Sequence, residues 1–354
     1  MTGARVLGVD SGGSGLRVAL ADVGAAPGTA PILRSREPVR TGPGGIDTAH
    51  LLEQLLPMAR ALLDADPQGG PVAAIAVGAA GMATLGERLR RELPGALAQA
   101  LGVRRAALAT DAVTAYAGAL GQRPGAVVAA GTGMVALGTD LREWRRADGW
   151  GHLLGDCGSG AWIGRAGLEA ALRAHDGREG GSAALLAAAE AVFGPAEGLP
   201  GRVYPRPDRP AVLASFAPEV GRCAAAGDPV ATEVLALAAR QVAQSLAAVC
   251  PDGAPPPDSG TGAGVTRSGG GTGPREAEPP VEVALTGGLF RLGEPLLAPL
   301  RAELSRLLPD VRPIPAAGDP LAGAVILASA LATGTLLLPR HPTLLHLPAD
   351  AGVP

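Results

Sequence analysis

The sequence predicts an α/β protein made of a duplicated domain, on the strength of two glycine hairpins and the helix-strand alternation that follows the first of them. Gly13-Ser14-Gly15-Leu16-Arg17-Val18-Ala19-Leu20 and Gly131-Thr132-Gly133-Met134-Val135-Ala136-Leu137-Gly138 lie about 118 residues apart. Each follows a β-like run, Arg5 to Asp10 and Ala126 to Ala130, turns through Gly-Ser-Gly or Gly-Thr-Gly, and re-enters an apolar run. That is the pattern of a strand-turn-strand hairpin. Glycines let the backbone approach an anion with its N–H groups turned toward it, so two such turns facing each other would grip a triphosphate from both sides.

The elements follow in order. The first hairpin, to Val23, gives way to a Pro/Gly-rich stretch and an amphipathic helix pattern from about Ile46 to Asp64. A strand at Val72 to Val77, a polar helix from about Gly86 to Leu101, a short strand Ala106 to Ala109 ending at Thr110-Asp111, and a helix Ala112 to Leu120 come next. A hairpin followed by alternating helices and strands implies a mixed sheet with helices on its faces. The pattern restarts at Ala126 with the second hairpin, a glycine-rich loop from Asp148 to Gly160, and a helix from about Ala161 to Ala174. Two Ala/Leu helices near Ala183 to Phe193 and Pro229 to Val249 follow. The strand Val281 to Leu285 then runs into Thr286-Gly287-Gly288, and a last helix, Leu321 to Ala332, stands behind Gly318-Asp319-Pro320. The restart puts the domain boundary after residue 121, giving domains 1–121 and 122–354. Residues 251–280 are mostly Pro, Gly, Ser, Thr and charge and read as a disordered surface insertion; Gly198 to Pro210 is similar but shorter. The tail after Pro339 carries no usable periodicity.

Composition narrows the function. The chain of 354 residues is 47% apolar with a net charge of −3, enough to bury two cores and without the basic block that nucleic acid demands. The apolar run Ala73 to Ala80 is far shorter than the roughly 20 residues of a membrane span. The N-terminus enters a strand pattern at once and leaves no room for a signal peptide, so a cytoplasmic protein is expected. Cys157, Cys223 and Cys250 are scattered and lack CxxC spacing, which suggests neither a disulfide framework nor a zinc site. All 30 basic residues are arginine, and asparagine is missing as well. A Walker A lysine is therefore impossible, and phosphate charge must be met by backbone N–H groups, arginine or a metal ion.

Several residues could carry chemistry. Asp10 ends the first strand just before a phosphate-holding turn, where its carboxylate would repel a nucleotide unless Mg²⁺ lay between them; otherwise it is a turn-capping aspartate. Asp111 follows a strand and opens a helix, the position of a plain N-cap or, beside a nucleotide cleft, of a base for a substrate alcohol attacking a γ-phosphate. In Gly149-Trp150-Gly151-His152-Leu153-Leu154-Gly155-Asp156-Cys157-Gly158-Ser159-Gly160, Asp156 suits two sugar hydroxyls and Ser159 suits a helix cap. Trp150 reads as a packing anchor, His152 as a satisfied buried imidazole and Cys157 as a small apolar filler. The paired Gly287 and Gly288 would let a flat ring lie on backbone, or simply make a strand-to-helix turn. Arg17 and Arg165 lie nearest the loops and read as solvated arginines.

In this order the pieces resemble the N-acetylglucosamine kinases of the BadF/BadG/BcrA/BcrD ATPase family, within the actin, sugar kinase and heat-shock chaperone superfamily. Gly8-Val9-Asp10-Ser11-Gly12-Gly13-Ser14 is similar to the first phosphate motif, Ala130-Gly131-Thr132-Gly133 to the second, and Leu285-Thr286-Gly287-Gly288 to the adenosine motif. Gly149-Trp150-Gly151-His152-Leu153-Leu154-Gly155-Asp156 is similar to the sugar-side loop. The resemblance implies two RNase H-like domains around a cleft, ATP and Mg²⁺, and a homodimer. It assigns the catalytic base to Asp111 and the metal to Asp10. Nucleotide contacts fall on Ser11, Gly12, Gly13, Ser14, Gly131, Thr132, Gly133, Gly287 and Gly288. Sugar contacts fall on Asp111, Thr132, Gly149, Trp150, Gly151 and Asp156. The chain departs from the family at Cys157, where Glu is frequent, at Met134, where a small polar residue is frequent, and in Thr41 to Asp47, which lacks the sugar-contacting asparagine. The expected activity is phosphorylation of an amino sugar, N-acetylglucosamine at its 6-OH, with N-acetylmuramic acid and glucosamine as alternatives. An ATPase activator whose hydrolysis drives electron transfer from an iron-sulfur cluster shared between subunits, and a non-catalytic sugar or nucleotide sensor, are the competing classes.

Overall fold

A computed structural model describes residues 3–13, 15–25, 28–42, 45–67, 69–251 and 280–348. Ser14 and all but the two ends of the 251–280 insertion lie outside the described residues. The chain begins with strands β1 (Arg5–Gly12), β2 (Gly15–Asp22), β3 (Ile32–Ser35), β4 (Thr41–Gly42) and β5 (Gly45–Ile46). Then come α1 (Thr48–Asp64), β6 (Val72–Ala79), α2 (Met82–Leu85), α3 (Glu87–Leu101), β7 (Arg105–Thr110) and α4 (Asp111–Leu120). The pattern restarts with β8 (Gly125–Ala130), β9 (Met134–Thr139), β10 (Trp144–Asp148), α5 (Gly160–His175) and α6 (Ala183–Phe193). Four more helices follow, α7 (Leu199–Val203), α8 (Arg209–Ala214), α9 (Ala217–Ala225) and α10 (Pro229–Val249). The last elements are β11 (Glu282–Thr286), α11 (Glu294–Leu307), β12 (Arg312–Pro315), α12 (Pro320–Thr333) and β13 (Leu345–His346).

Among the described residues the strands form two main sheets, ordered β13-β7-β6-β1-β2-β3 and β10-β9-β8-β11-β12, with β4 and β5 paired separately. The duplication is real at the level of pairing. In each sheet a hairpin, β1 with β2 or β8 with β9, extends on one side to a third antiparallel strand and on the other to parallel strands. The third strands, β3 and β10, escaped sequence reading because they are short and largely polar. The stretch Gly198 to Pro210, expected to resemble a surface insertion, instead folds into α7 and the start of α8.

Strand alternation decides which core each residue joins. Leu7 and Val9 pack with Leu51, Leu55, Leu89, Leu93 and Leu97 beneath α1 and α3. Val6, on the other face, joins Tyr116, Val325 and Leu327 from α4 and α12 in a cluster that continues into Val127, Leu137 and Ala284 of the second sheet. Helices α4 and α12 therefore fill the space between the sheets, and α5, α10 and α11 cover the far side of the second one. The two helices cross without a side chain between them: a Cβ at Gly323 would overlap the Thr114 carbonyl oxygen, and one at Gly118 the Asp319 carbonyl oxygen.

The expected division into 1–121 and 122–354 separates the two sheets but not the end of the chain. Helix α12 packs on β1 and β6, and β13 pairs antiparallel with β7, Leu345 opposite Ala109 and His346 opposite Leu108. Residues 320–346 belong structurally with the first sheet.

Candidate active site

Asp10 sits opposite Arg17 across the first hairpin. Its Oδ2 accepts from Arg17 Nε at 2.9 Å and Nη2 at 2.6 Å, while Arg17 Nη1 donates to Asp319 Oδ2 at 2.5 Å. Arg17 is thus not the solvated arginine that its sequence context suggests. It ties the strand carrying Asp10 to Asp319, the N-cap of α12, whose other oxygen accepts from Ala322 N. Burial pushes the Asp10 carboxyl above its ordinary value, with Arg17 opposing the rise. Despite burial, the Ala322 N–H and Arg17 hold Asp319 below its ordinary value. Replacing Arg17 by Gln should leave Asp10 half-buried and unpaired, a loss of about 2 kcal/mol or more of stability at neutral pH. That deficit should shrink as pH falls and Asp10 takes a proton. Urea unfolding of the two proteins across pH measures it, and a constant difference would contradict the pairing.

Asp111 begins α4, but the cap is Thr110, whose hydroxyl accepts from Val113 N. Asp111 Oδ1 accepts from Ala112 N at 2.9 Å. Burial pushes its carboxyl up and the nearby Asp10 charge adds to this, while the Ala112 N–H and Arg146 pull it down. A carboxylate so placed has lost most of its water and has one oxygen left for a proton donor, the environment of a general base rather than of a capping residue.

Arg146, which sequence reading passed over, ties the end of β10 to the glycine-rich loop, and its charge lowers the Asp111 carboxyl. Its Nε donates to the Asp148 carbonyl at 3.1 Å and its guanidinium lies 4.9 Å from the centre of the Trp150 ring. Trp150 is 65% exposed, so it is no packing anchor, and His152 is only half-buried. Asp156 accepts from Gly151 N at 3.1 Å. A Cβ at Gly133 would come 2.6 Å from Asp156 Oδ2, so the loop aspartate lies directly against the second glycine turn. Burial raises the Asp156 carboxyl, and the neighbouring Asp148 charge adds to it against the Gly151 and Met134 N–H groups. Ser159 caps α5 as expected, accepting from Trp162 N. Cys157 is half-buried, its thiol pushed up by burial and by Asp148 and Asp156, which leaves it unreactive. Arg165 is exposed.

The second glycine turn is held from behind. Gly160 N donates to the Gly131 carbonyl at 2.9 Å and Ala161 N to the Thr132 carbonyl at 3.0 Å. The N-terminus of α5 therefore abuts the turn, where its dipole favours an anion. Gly287, at φ 105°, stands where any Cβ would collide with the Ala130 carbonyl, and this close fit joins the turn to Gly288. Gly131, Thr132, Gly160 and Gly288 line one open cavity of about 400 Å³, bounded also by Ala211, Ala214, Ser215, Pro218, Leu289 and Leu292. Its walls are small and apolar, the lining expected for a flat base. The α8 and α9 wall went unseen in the sequence because Ala/Pro-rich turns carry no strong period.

The remaining predicted residues fall on the first hairpin. Ser11 is buried and its carbonyl accepts from Ala80 N; Gly12 and Gly13 form the turn, and Ser14 lies outside the described residues. The structure thus unites Gly131, Thr132 and Gly288 in one cavity, sets Asp156 against that turn, and brings Asp10 within electrostatic reach of Asp111. No hydrogen bond among the described residues joins the two glycine turns directly. Among the described residues no cluster of three or more His, Cys, Asp or Glu could cage an ion. A cation here would share Asp10 with phosphate oxygens and water, which suits Mg²⁺.

A sequence model of the BadF/BadG/BcrA/BcrD ATPase family matches residues 7–328. A stretch of 70 residues is 44% identical to an N-acetylmuramic acid/N-acetylglucosamine kinase of Clostridium acetobutylicum, spanning 19% of this chain and 22% of that relative. The whole chain is similar to the crystal structure of a protein from Chromobacterium violaceum provisionally named N-acetylglucosamine kinase, at 26% identity and TM-score 0.65, covering 93% of this chain and 99% of that one. It shares a fold with the ROK family glucokinase of Streptomyces griseus, solved with glucose and AMPPNP, at 18% identity and TM-score 0.51, over 92% and 98% of the two chains. These likenesses bear out the expected architecture of two RNase H-like bodies. No helix among the described residues is long and apolar enough to cross a membrane.

Proposed function

We propose, from the premise that this chain belongs to the BadF/BadG/BcrA/BcrD ATPase family, that it is an ATP-dependent kinase which phosphorylates an amino sugar, N-acetylglucosamine at its 6-OH. One observation carries the reading. Asp111, a half-buried carboxylate at the start of α4, is pushed up by the charge of Asp10 and pulled down by that of Arg146, and Arg146 lies over the Trp150 ring of the loop that bears Asp156. This supports reading Asp111 as the base, Asp10 as the phosphate-side carboxylate and Asp156 as the sugar-side one. Support for the acceptor comes from the relatives whose names include N-acetylglucosamine.

In this reading Asp111 accepts the proton of the sugar hydroxyl, and Asp156 holds two further hydroxyls in place. Gly131, Thr132 and Gly133 turn their N–H groups to the phosphates, with Ser11, Gly12, Gly13 and Ser14 opposite them, and the cavity behind Gly287 and Gly288 takes the adenosine. Asp111 also contacts the sugar, with Thr132, Gly149, Trp150 and Gly151 around it. Asp10 would hold Mg²⁺, which when bound offsets charge on the phosphates. Positioning and charge neutralisation supply most of the acceleration in such transfers. The cytoplasm as compartment and a homodimer as assembly complete the reading.

The test is ADP release with ATP and Mg²⁺ in the presence of N-acetylglucosamine, N-acetylmuramic acid, glucosamine or glucose, or of no sugar. Strong release is expected with N-acetylglucosamine and little without sugar. Asp156→Ala should raise the sugar KM by about 10-fold or more, the cost of losing hydrogen bonds to a charged group, with ATP affinity nearly intact. Sugar-independent hydrolysis would point to an ATPase activator instead.

A further inference from the structure

Asp148 ends β10, opposite Val135 of β9, and adopts φ 60°. Among the described residues the non-glycine positions with positive φ are Leu141, Asp148 and Asp156, so two of the three lie in the sugar-side loop. Aspartate tolerates the left-handed region only because its short side chain can bond locally, and glycine would occupy it more easily. Asp148 also sits beside Asp156, whose carboxyl its charge pushes up. Two unfavourable features are therefore retained at one residue.

What offsets them is a pair of charge-assisted bonds. Asp148 Oδ1 accepts from the backbone N–H of Asp156 at 2.6 Å, and Oδ2 accepts from that of Cys157 at 2.8 Å. Both oxygens grip consecutive amides eight and nine residues along the chain. Gly155 fits against the same carboxylate, since a Cβ there would strike Asp148 Oδ1. Above this clamp the loop closes on itself through Leu154 and Gly155, both donating to the Gly151 carbonyl, and through Gly151 donating to Asp156. The backbone of Asp156 is thus fixed from below and its side chain from two sides.

We propose that Asp148 is a positioning residue for sugar recognition: its carboxylate clamps the amides of Asp156 and Cys157 and so presents the Asp156 side chain to the substrate. The inference rests on the reading of Asp156 as the sugar-holding carboxylate. Asp148→Asn keeps the shape but replaces one oxygen by an amide NH2, a donor that cannot accept from the N–H facing it. Asp148→Gly relieves the left-handed backbone and removes the clamp altogether. Both should raise the KM for N-acetylglucosamine by about tenfold or more, leave the ATP dissociation constant within about twofold, and speed hydrogen exchange at the amides of 156 and 157. If Asp148 merely fills a strained corner, Asp148→Gly keeps the wild-type sugar KM, and that result overturns the proposal. Should wild-type protein turn over no amino sugar, the substrate reading falls, and the clamp is then decided by exchange alone. Faster exchange at 156 and 157 in Asp148→Asn supports it, and unchanged exchange overturns it.

Discussion

Asp111→Asn should lower turnover by about 10²- to 10⁴-fold, the usual contribution of a positioned base, while ATP binding stays near wild type. The same substitution should make the ligand-free protein more stable at neutral pH. A carboxyl whose folded pKa is raised binds its proton more tightly in the folded state, so ionisation weakens the fold as pH rises, and the deficit is complete above the folded value. Burial raises Asp111 in this way. Asparagine cannot ionise, keeps the acceptor for Ala112 N, and removes the deficit. Thermal unfolding at neutral pH should show a gain of about 2 °C or more, which vanishes as pH approaches the ordinary aspartate value of 3.8. The base also sets the acid limb of the activity profile, which should lie above that value. Turnover within tenfold of wild type, or an unchanged melting temperature, would remove Asp111 from the role.

Gly323→Ala should be among the most destabilising single changes in the chain. The added methyl would overlap the Thr114 carbonyl oxygen where α12 crosses α4, and backbone cannot yield as a flexible side chain does. Forcing two packed helices apart should cost about 3 kcal/mol or more. Thr114 is one turn beyond Asp111, to whose carbonyl its hydroxyl is bonded at 3.0 Å, so the base should shift with its helix and turnover should fall as well. Gly95→Ala is the control: Gly95 lies inside α3 with nothing within 4 Å of an added Cβ, so it should gain up to about 1 kcal/mol. Urea midpoints for the three proteins decide the matter, and a Gly323→Ala protein as stable as wild type would mean that the helices are not in contact as described.

Much of this was legible in the sequence where glycine marks a turn between apolar runs. Both hairpins, the strand running into Gly287, and the helices α1, α3, α4, α5, α6, α10 and α12 follow from local pattern, whereas α11 and β12 do not. Asp10, Asp111 and Asp156 could be singled out as candidates because each stands at the end of a strand or in a glycine-rich loop. What could not be read there depends on long separation. Arg17 meets Asp319 across 302 residues, and nothing near either residue announces the other. Arg146 sits on a strand of five residues whose pairing, not its own sequence, turns it toward Trp150. Asp148 acts on amides that carry no side-chain signature. The exposure of Trp150 ran against its apolar bulk, because the loop that carries it spends its hydrogen bonds on itself rather than on a core.

The return of residues 320–346 to the first sheet sets an order of assembly. The second sheet draws its strands from one continuous stretch, β8 to β12, and can close while the rest of the chain is still emerging from a ribosome. The first sheet, though made first, lacks β13 at its edge and α12 on its face until the final segment arrives, and Thr110 N waits for the Leu344 carbonyl that it bonds at 2.9 Å. The body that carries Asp111 is thus begun earliest and finished last, and a nascent chain stalled before residue 320 would hold a complete second sheet facing an incomplete first one.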